Sequence, residues 1–529
     1  MGNHLLIQIA PITLSLERFA QLLQENRILG YPALCVSLYV FYWICLSFYR
    51  LTFHPLAKYP GPWLAAVSPL FYCWVFARGR AGPEIKAAHD KYGPVVRIAP
   101  NDLSFATPTS YRDIYTKQNG RGTFIKTEFY KQISMGFETV GFASEDRVDV
   151  HAKQRKLFAP VFSAQGVRAY EHLLLSTMEK FLKQIERIGK TDEGVDIAEW
   201  FHRLLYDVTA DLAFGEPSGA TDTSGDNYWL KLVNDNINIA TYVDCACRFA
   251  VFKFLIENFT PKRALEARDR HVKWSIATTG QRILDPRREG RPDMLTYLLE
   301  NKNAEGVTLD EMTSHLSQII LAGGGTTAIV LGAMIYFLIL NPEMLQRVRD
   351  ETIHLFNNSD EIKAPALAKC EFLTAVIKEG LRMMPPAPTG LPRYSPGETV
   401  DGHYVPKGTQ VFVHPWTLTR SEKYWKNAWT FNPERWMDPN STDVKEAAMP
   451  FLLGPRQCIG QNLAWDQMRV IITKIFYLFD LELVRDIKDW PSECGTFLTW
   501  STTPLNVRVK PREGALSDPF FARPPAKDE

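Results

Sequence analysis

Apolar and polar positions divide this chain into one long uncharged run, several stretches with the period of a helix, and two short stretches that alternate. Residues 28–49 form the uncharged run, about 22 residues closed by Arg50, which is enough for a helix to cross a hydrocarbon core of roughly 30 Å. A buried core helix or a cleaved signal peptide would share this composition. The run is, however, too long for the apolar region of a signal and lacks a small-residue cleavage site, so a transmembrane anchor is expected. Further on, Thr308 and Glu311 have the spacing of a capping box and open an apolar run to Asn341-Pro342, about 33 residues or roughly 50 Å of helix. Residues 462–479 carry the same periodicity, and alternation around residues 95–106 and 411–414 predicts strands.

The pattern predicts a mainly α fold with small β-sheets, a single large domain behind an N-terminal transmembrane helix. The expected divisions are an N-terminal segment (1–27), the anchor (28–49), a proline-rich hinge (50–70), a catalytic domain (71–510) and a disordered tail (511–529). Pro60-Gly61-Pro62 cannot continue a helix, and the tail places Pro511, Pro519, Pro524 and Pro525 among charges. Arg50, Lys58, Arg78 and Arg80 follow the anchor before any acidic residue, whereas Arg18 and Arg27 before it are offset by Glu17 and Glu25. That asymmetry places the bulk of the chain on the cytosolic side. With 60 basic and 59 acidic residues there is no global field to attract a polyanion, so nucleic acid is not an expected partner. Eight scattered cysteines are too few for a disulfide framework in 529 residues, which leaves cysteine chemistry to local context.

One cysteine has such a context. Residues 451–460 read F-L-L-G-P-R-Q-C-I-G and precede the helix expected over 462–479, so Cys458 stands just before a helix start. Backbone N–H groups and the helix dipole there are expected to lower the thiol pKa and suit the sulfur to a metal. Gly454 and Gly460 allow a tight turn and close approach to a flat ligand, and Arg456 is placed to pair with a carboxylate on it. A lone cysteine is more often a small buried hydrophobe, but the fixed positions around this sulfur argue for a ligand. Zinc does not fit, because no second cysteine or histidine lies at ligand spacing.

The loop resembles the haem-binding signature of the cytochromes P-450, F-x-x-G-x-R-x-C-x-G, with Phe451, Gly454, Arg456, Cys458 and Gly460 at its fixed positions. The resemblance implies a proximal thiolate on the iron of haem b (iron protoporphyrin IX), which favours O–O cleavage. It extends to Glu379 and Arg382 in K-E-G-L-R and to Arg435 in N-P-E-R-W, which resemble a buried structural Glu-Arg-Arg triad. His151 and Arg155 in H-A-K-Q-R, and Arg393 after the L-P-R turn, resemble partners of the haem carboxylates. An ordinary helix-surface histidine is the competing reading of His151.

Within the long helix, A-G-G-G-T-T resembles the family's oxygen-binding groove, with Ala322, Gly323, Thr326 and Thr327 in place. Thr326 takes by resemblance the role of the alcohol that assists protonation during oxygen activation; the alternative is a threonine bonded back to its own helix. Gly325 stands where the family usually has an acid, and three successive glycines cost about 1 kcal/mol each in a helix interior, so the helix is expected to pass something closely. Water in a widened groove, or a polar group on the substrate, would then deliver protons. By resemblance the substrate pocket draws on Phe124, Phe129, Phe137, Phe142, Leu321, Thr389, Leu391, Phe497 and Trp500.

These expectations add up to a microsomal monooxygenase similar to fungal members that oxidise terpenoids, polyketides or peptide alkaloids. It would be single-pass in the endoplasmic reticulum membrane, with membrane lipid, a small lipophilic substrate and an NADPH-dependent flavoprotein reductase as partners. Oxidative coupling, ring closure or desaturation would use the same chemistry, and a non-catalytic haem sensor is the alternative of a different class.

Overall fold

The computed structural model describes residues 27–132, 136–223, 225, 239–259, 262–285, 291, 293–300 and 306–524. Of the expected N-terminal segment, therefore, only Arg27 falls within the described residues. Helix α1 (Arg27–Thr52) contains the uncharged run and projects its apolar side chains outward: Val36, Leu38, Phe41, Ile44 and Phe48 are all exposed. It is long and apolar enough to cross a membrane. Helix α2 (Leu70–Ala77) follows, then a hairpin of β1 (Val95–Ala99) and β2 (Asp102–Phe105), and the short strand β3 (Ile125–Lys126).

The segment expected to act as a proline-rich hinge is docked on β1. Leu56 and Tyr59 are buried, the Tyr59 hydroxyl donates to the Tyr404 carbonyl at 2.7 Å, and the Arg97 amide donates to the Pro60 carbonyl at 2.8 Å. A side chain at Gly61 would stand 2.3 Å from the Arg97 carbonyl oxygen, so only glycine lets the two backbones approach. The folded domain therefore begins before residue 71.

Helices α3 (Val148–Phe158) and α4 (Glu171–Gly189) lead through β4 (Val195–Asp196) to α5 (Ile197–Phe214), whose first turn is capped by the Asp196 carboxylate accepting from the amides of Ala198 and Glu199. Helix α6 (Leu309–Leu340) is the long helix the sequence predicts, and the Thr308 hydroxyl accepts from the Glu311 amide at 3.1 Å as the capping box requires. It too has the length and hydropathy of a membrane span, but most of it is buried, and it forms the axis of the main core between α5, α7 (Glu371–Met383) and a later helix, α8 (Gln461–Leu478). Strands β5 (Arg393–Tyr394) and β6 (Gln410–Val413) complete a five-stranded sheet in the order β1-β2-β6-β5-β3, antiparallel except for β2 beside β6. A three-stranded antiparallel sheet joins β4 to β7 (Phe479–Leu483) through β8 (Asn506–Pro511).

The expectation of a disordered tail is corrected over its described part. Pro511 closes β8, and residues 513–515 and 519–522 form short helices. Asp518 accepts from the amide and hydroxyl of Ser359 at 2.7 Å each, and Phe520 is buried against Phe479. Pro519 fits because it opens the second of these helices, and the buried aromatic supplies the area that holds it. Residues 525–529 lie outside the described residues.

Candidate active site

Backbone geometry shapes the cysteine loop. Gly454 adopts φ +75°, and a side chain there would stand 2.4 Å from the Tyr115 carbonyl oxygen; Leu452 is also left-handed, at φ +59°. The turn is closed by the Cys458 amide donating to the Phe451 carbonyl at 2.8 Å. Gly460, by contrast, would bring a side chain only into ordinary contact with Phe162 at 3.9 Å, so no neighbouring protein atom demands glycine there. Cys458 has an open surface although it lies deep among protein atoms. Burial pushes its thiol above the ordinary value, against the Gly460 amide and the Arg155 charge, which favour the thiolate. The expected lowering is thus present as a local influence and is outweighed by desolvation; a bound cation would reverse the balance, because coordination deprotonates a thiol.

Around this loop the structure gathers cations. Arg155 on α3 donates to the Gln457 carbonyl at 2.7 Å, next to the cysteine. Arg456 donates to the carbonyls of Glu145 and Asp146. Arg393 on β5 donates to the Tyr130 hydroxyl at 2.5 Å and lies over the rings of Tyr115 and Tyr130. His151 is buried, not a surface histidine: burial, then the charges of Arg456, Lys126, Arg155 and Arg393, hold its imidazole down at about 3.

The sequence reading missed Lys126. It is buried, donates to the carbonyls of Phe142 and Ala143, and pairs across the sheet with Arg393 in direct register, which sets two like charges opposite each other. Burial, then Arg456 and Arg393, drive its pKa well below the usual lysine value, and burial and Arg393 bring Arg456 down to about 10. Of the two nearby carboxylates, Glu145 is engaged by the backbone amide and guanidinium of Arg147, and Asp146 acts on Arg456 only as a lesser influence, through its charge. No sequence spacing flags Lys126, because its partners come from β5 and the cysteine loop.

This donor set fits haem. A single thiol suits one axial position on an iron, and cations that repel one another for want of a carboxylate suit a ligand bearing two of them. Among the described residues no cluster of three or more His, Cys, Asp or Glu is arranged to hold a metal ion by itself.

Glu379, Arg382 and Arg435 come together as expected and are almost completely buried. Arg382 grips both Glu379 oxygens at 2.8 Å, and Arg435 Nε donates to Glu379 Oε1 at 3.1 Å. The structure adds Trp436, whose indole donates to Glu379 Oε2 at 2.9 Å, and Asp443, which takes the far side of Arg435 at 2.5 Å. Arg382 also donates to the carbonyls of Thr419 and Ala428 at 2.6 Å each and of Thr430 at 3.1 Å, locking together the strands of loop between residues 419 and 435.

The glycine run explains itself through α5. Side chains at Gly323 and Gly324 would stand 3.0 Å from Thr209 and 3.3 Å from Tyr206, so the two helices pass closely there. At Gly325 the nearest atom is His202 Cε1 at 3.9 Å, an ordinary contact. The packing reason for glycine therefore covers two positions and not the third. Thr326 donates its hydroxyl proton to the Ala322 carbonyl at 2.9 Å, the back-bonded arrangement; its lone pairs remain available to accept. Ala322 is exposed in the middle of this otherwise buried helix, and Thr326 shares its face. Thr327 does not join them: it is buried one step round the helix, in line with Gly323, which faces α5.

The expected pocket aromatics separate. Phe124 belongs to the small core around the five-stranded sheet, and Phe137 and Phe142 to the main core, Phe142 stacked on Phe158. Leu321 is buried in the main core, and Trp500 donates to the Pro385 carbonyl. Phe129 and Thr389 line one small, partly open pocket with Phe76, Asp244, Gln410 and Leu498. Phe497, beside Leu498, packs on Tyr242, and its carbonyl accepts from the Thr389 hydroxyl. Leu391 lines a separate cavity with Tyr115 and Met449.

Comparison with known proteins agrees with this geometry. The profile described as Cytochrome P450 matches residues 62–510. Cytochrome P450 monooxygenase BOT4 of Botryotinia fuckeliana is 36% identical over 473 residues, 89% of this chain and 89% of the relative. Cytochrome P450 monooxygenase ORF9 of Penicillium roqueforti is 32% identical, covering 90% and 93%, and Cytochrome P450 monooxygenase alt3 of Alternaria solani is 32% identical, covering 94% and 96%. A profile that runs from the proline-bearing segment to the last strand, with relatives aligned along most of both chains, makes this protein a member of the cytochrome P450 family and an oxidoreductase.

Proposed function

We propose that this chain is a haem-thiolate monooxygenase, anchored in the endoplasmic reticulum membrane by α1, that oxidises a small lipophilic secondary metabolite with electrons from NADPH through a flavoprotein reductase. The observation that carries this reading is the ring of Lys126, Arg155, Arg393 and Arg456 about the Cys458 loop, positive and short of carboxylates. Haem, when bound, supplies oxygen activation. Cys458 would hold the iron, and Arg155, Arg393, Arg456 and Lys126, with His151 packed among them, would hold the carboxylates. Phe451 and Gly460 would frame the sulfur, the first through its carbonyl bond to the Cys458 amide and the second through its own amide. Glu379, Arg382 and Arg435 fix the loops beneath the site and touch no substrate.

Thr326, with its proton engaged by Ala322, accepts a hydrogen bond from water in the groove and so holds that water in place. Phe129 and Thr389 line the approach, the Phe497 carbonyl holds the Thr389 hydroxyl, and the apolar lining excludes water from an apolar substrate. Support for the membrane seat comes from the exposed apolar face of α1 and from a second exposed apolar helix, Ala250–Phe259, which has no buried residue.

Microsomes carrying the chain and its reductase should show substrate-dependent NADPH oxidation and a product heavier by one oxygen. A product lighter by two hydrogens would assign oxidative coupling, ring closure or desaturation, and a haem protein without turnover would overturn the enzyme reading. Carbonate extraction should leave the full chain with the membrane; its release would overturn the anchor.

A further inference from the structure

We propose that His202, reaching from α5 to Gly325, is the proton-relay residue of the Thr326 groove and does with bound water what a side chain at position 325 would do. The inference rests on the monooxygenase reading above. His202, Tyr206 and Thr209 occupy one face of α5 at helical spacing, and they meet Gly325, Gly324 and Gly323 in turn. The other two members are settled: Thr209 bonds back to the Leu205 carbonyl at 2.6 Å, and burial holds the Tyr206 phenol protonated. His202 is mostly though not completely buried, and neither of its ring nitrogens has a hydrogen-bond partner among the described residues. Unpaired imidazole nitrogens in a mostly buried position call for water, and the vacant side-chain position at Gly325 leaves room for it next to Thr326.

The ring is also in the protonation state a relay needs. Burial holds it down at about 4, against Glu199 one turn earlier, so it is neutral at physiological pH. A neutral imidazole accepts a proton at one nitrogen and releases one from the other; it stays neutral overall but leaves in the other tautomer, which a ring flip or the reverse exchange with water resets. Monooxygenation of a substrate RH needs this supply: RH, O₂, two electrons from NADPH through the reductase and two protons give ROH and water.

The test uses the full-length holoprotein with reductase and two readouts. The first is hydrogen peroxide released per NADPH consumed, which needs no identified substrate. Proton-transfer assistance is worth about 10²- to 10⁴-fold, so even at the low end His202→Leu should slow proton delivery about tenfold or more and send most NADPH to peroxide. His202→Gln should fall between, and Gly325→Asp added to His202→Leu should restore the wild-type partition. The second readout is the imidazole titration followed by NMR on ¹⁵N-histidine protein: Gly325→Asp should raise the His202 pKa by bringing a carboxylate to the ring, whether or not the enzyme turns over. An unchanged titration in Gly325→Asp, or wild-type partition in His202→Leu with an intact carbon-monoxide band, overturns the relay and leaves the monooxygenase reading standing. A wild-type protein without that band overturns the reading and the relay together.

Discussion

Two groups of buried charge in this protein are resolved in opposite ways. In the first, Glu379 sits between Arg382 and Arg435, Asp443 completes the outer side, and the guanidinium and carboxylate groups have partners at 2.5–3.1 Å. In the second, Lys126, Arg155, Arg393 and Arg456 share a neighbourhood in which Glu145 is already engaged by Arg147, and among the described residues their hydrogen bonds go to backbone carbonyls and a tyrosine hydroxyl. Charge that is neutralised within the chain holds the fold; charge that the chain leaves in excess is held for something that is not the chain. The first group is complete as protein, and the second is the one proposed above to hold a ligand with two carboxylates.

Breaking the complete group should have the largest effect. Arg382→Ala strands the Glu379 carboxylate in a site with no exposure, which costs about 3–5 kcal/mol, so little folded protein should be recovered and thermal unfolding should fall sharply. A variant that folds with wild-type stability would remove the distinction between the two groups.

The unbalanced group should respond differently. Lys126→Met removes one charge-assisted contact to the ligand, worth about 1.5–3 kcal/mol, and haem retention should weaken about 10- to 100-fold in a competition assay with apomyoglobin. Relief of repulsion opposes the lost bonds to the Phe142 and Ala143 carbonyls, so the cofactor-free protein should keep its stability within about 1 kcal/mol. Equal losses of stability and retention would show that this cluster is structural too. Cys458→Ser, in the same assay, should abolish the red-shifted carbon-monoxide band.

Acid titration of the cofactor-free protein sharpens the comparison further. His151 takes up a proton in the unfolded chain below about 6.5 but in the folded chain only near 3, because of burial and then the four cations around it. Stability is therefore fully present above 6.5 and is lost as pH falls toward 3, at up to about 1.4 kcal/mol per pH unit for this one proton. Denaturant melts at pH 5, 4 and 3 should show a shallower slope in Lys126→Met, where one of the repelling charges is gone and the folded imidazole takes up its proton sooner.

The smallest effect separates neighbours within the glycine run. Gly325→Ala should stabilise by roughly 0.5–1 kcal/mol, since its new methyl meets only His202, whereas Gly323→Ala must push against Thr209 and should gain less or lose. Equal gains at both positions would mean that α5 yields to α6 and that the close approach is not what selects glycine.

Local order along the chain was legible because it depends on neighbours in sequence. The helix start at Thr308, the cysteine loop before α8 and the apolar run of α1 each follow from periodicity or caps, and each stands where expected. What the sequence could not determine involves partners far apart in the chain. Lys126 gains its meaning from Arg393 across a sheet, Asp443 and Trp436 from Glu379, and Gly325 from His202 on another helix. The tail was misjudged for the same reason, since its order depends on Ser359 and Phe479. Propensity and motif spacing are short-range, so they settled the elements and singled out the cysteine loop. Burial, charge balance and the room beside a glycine are set by what packs against them, and only the tertiary structure decides those.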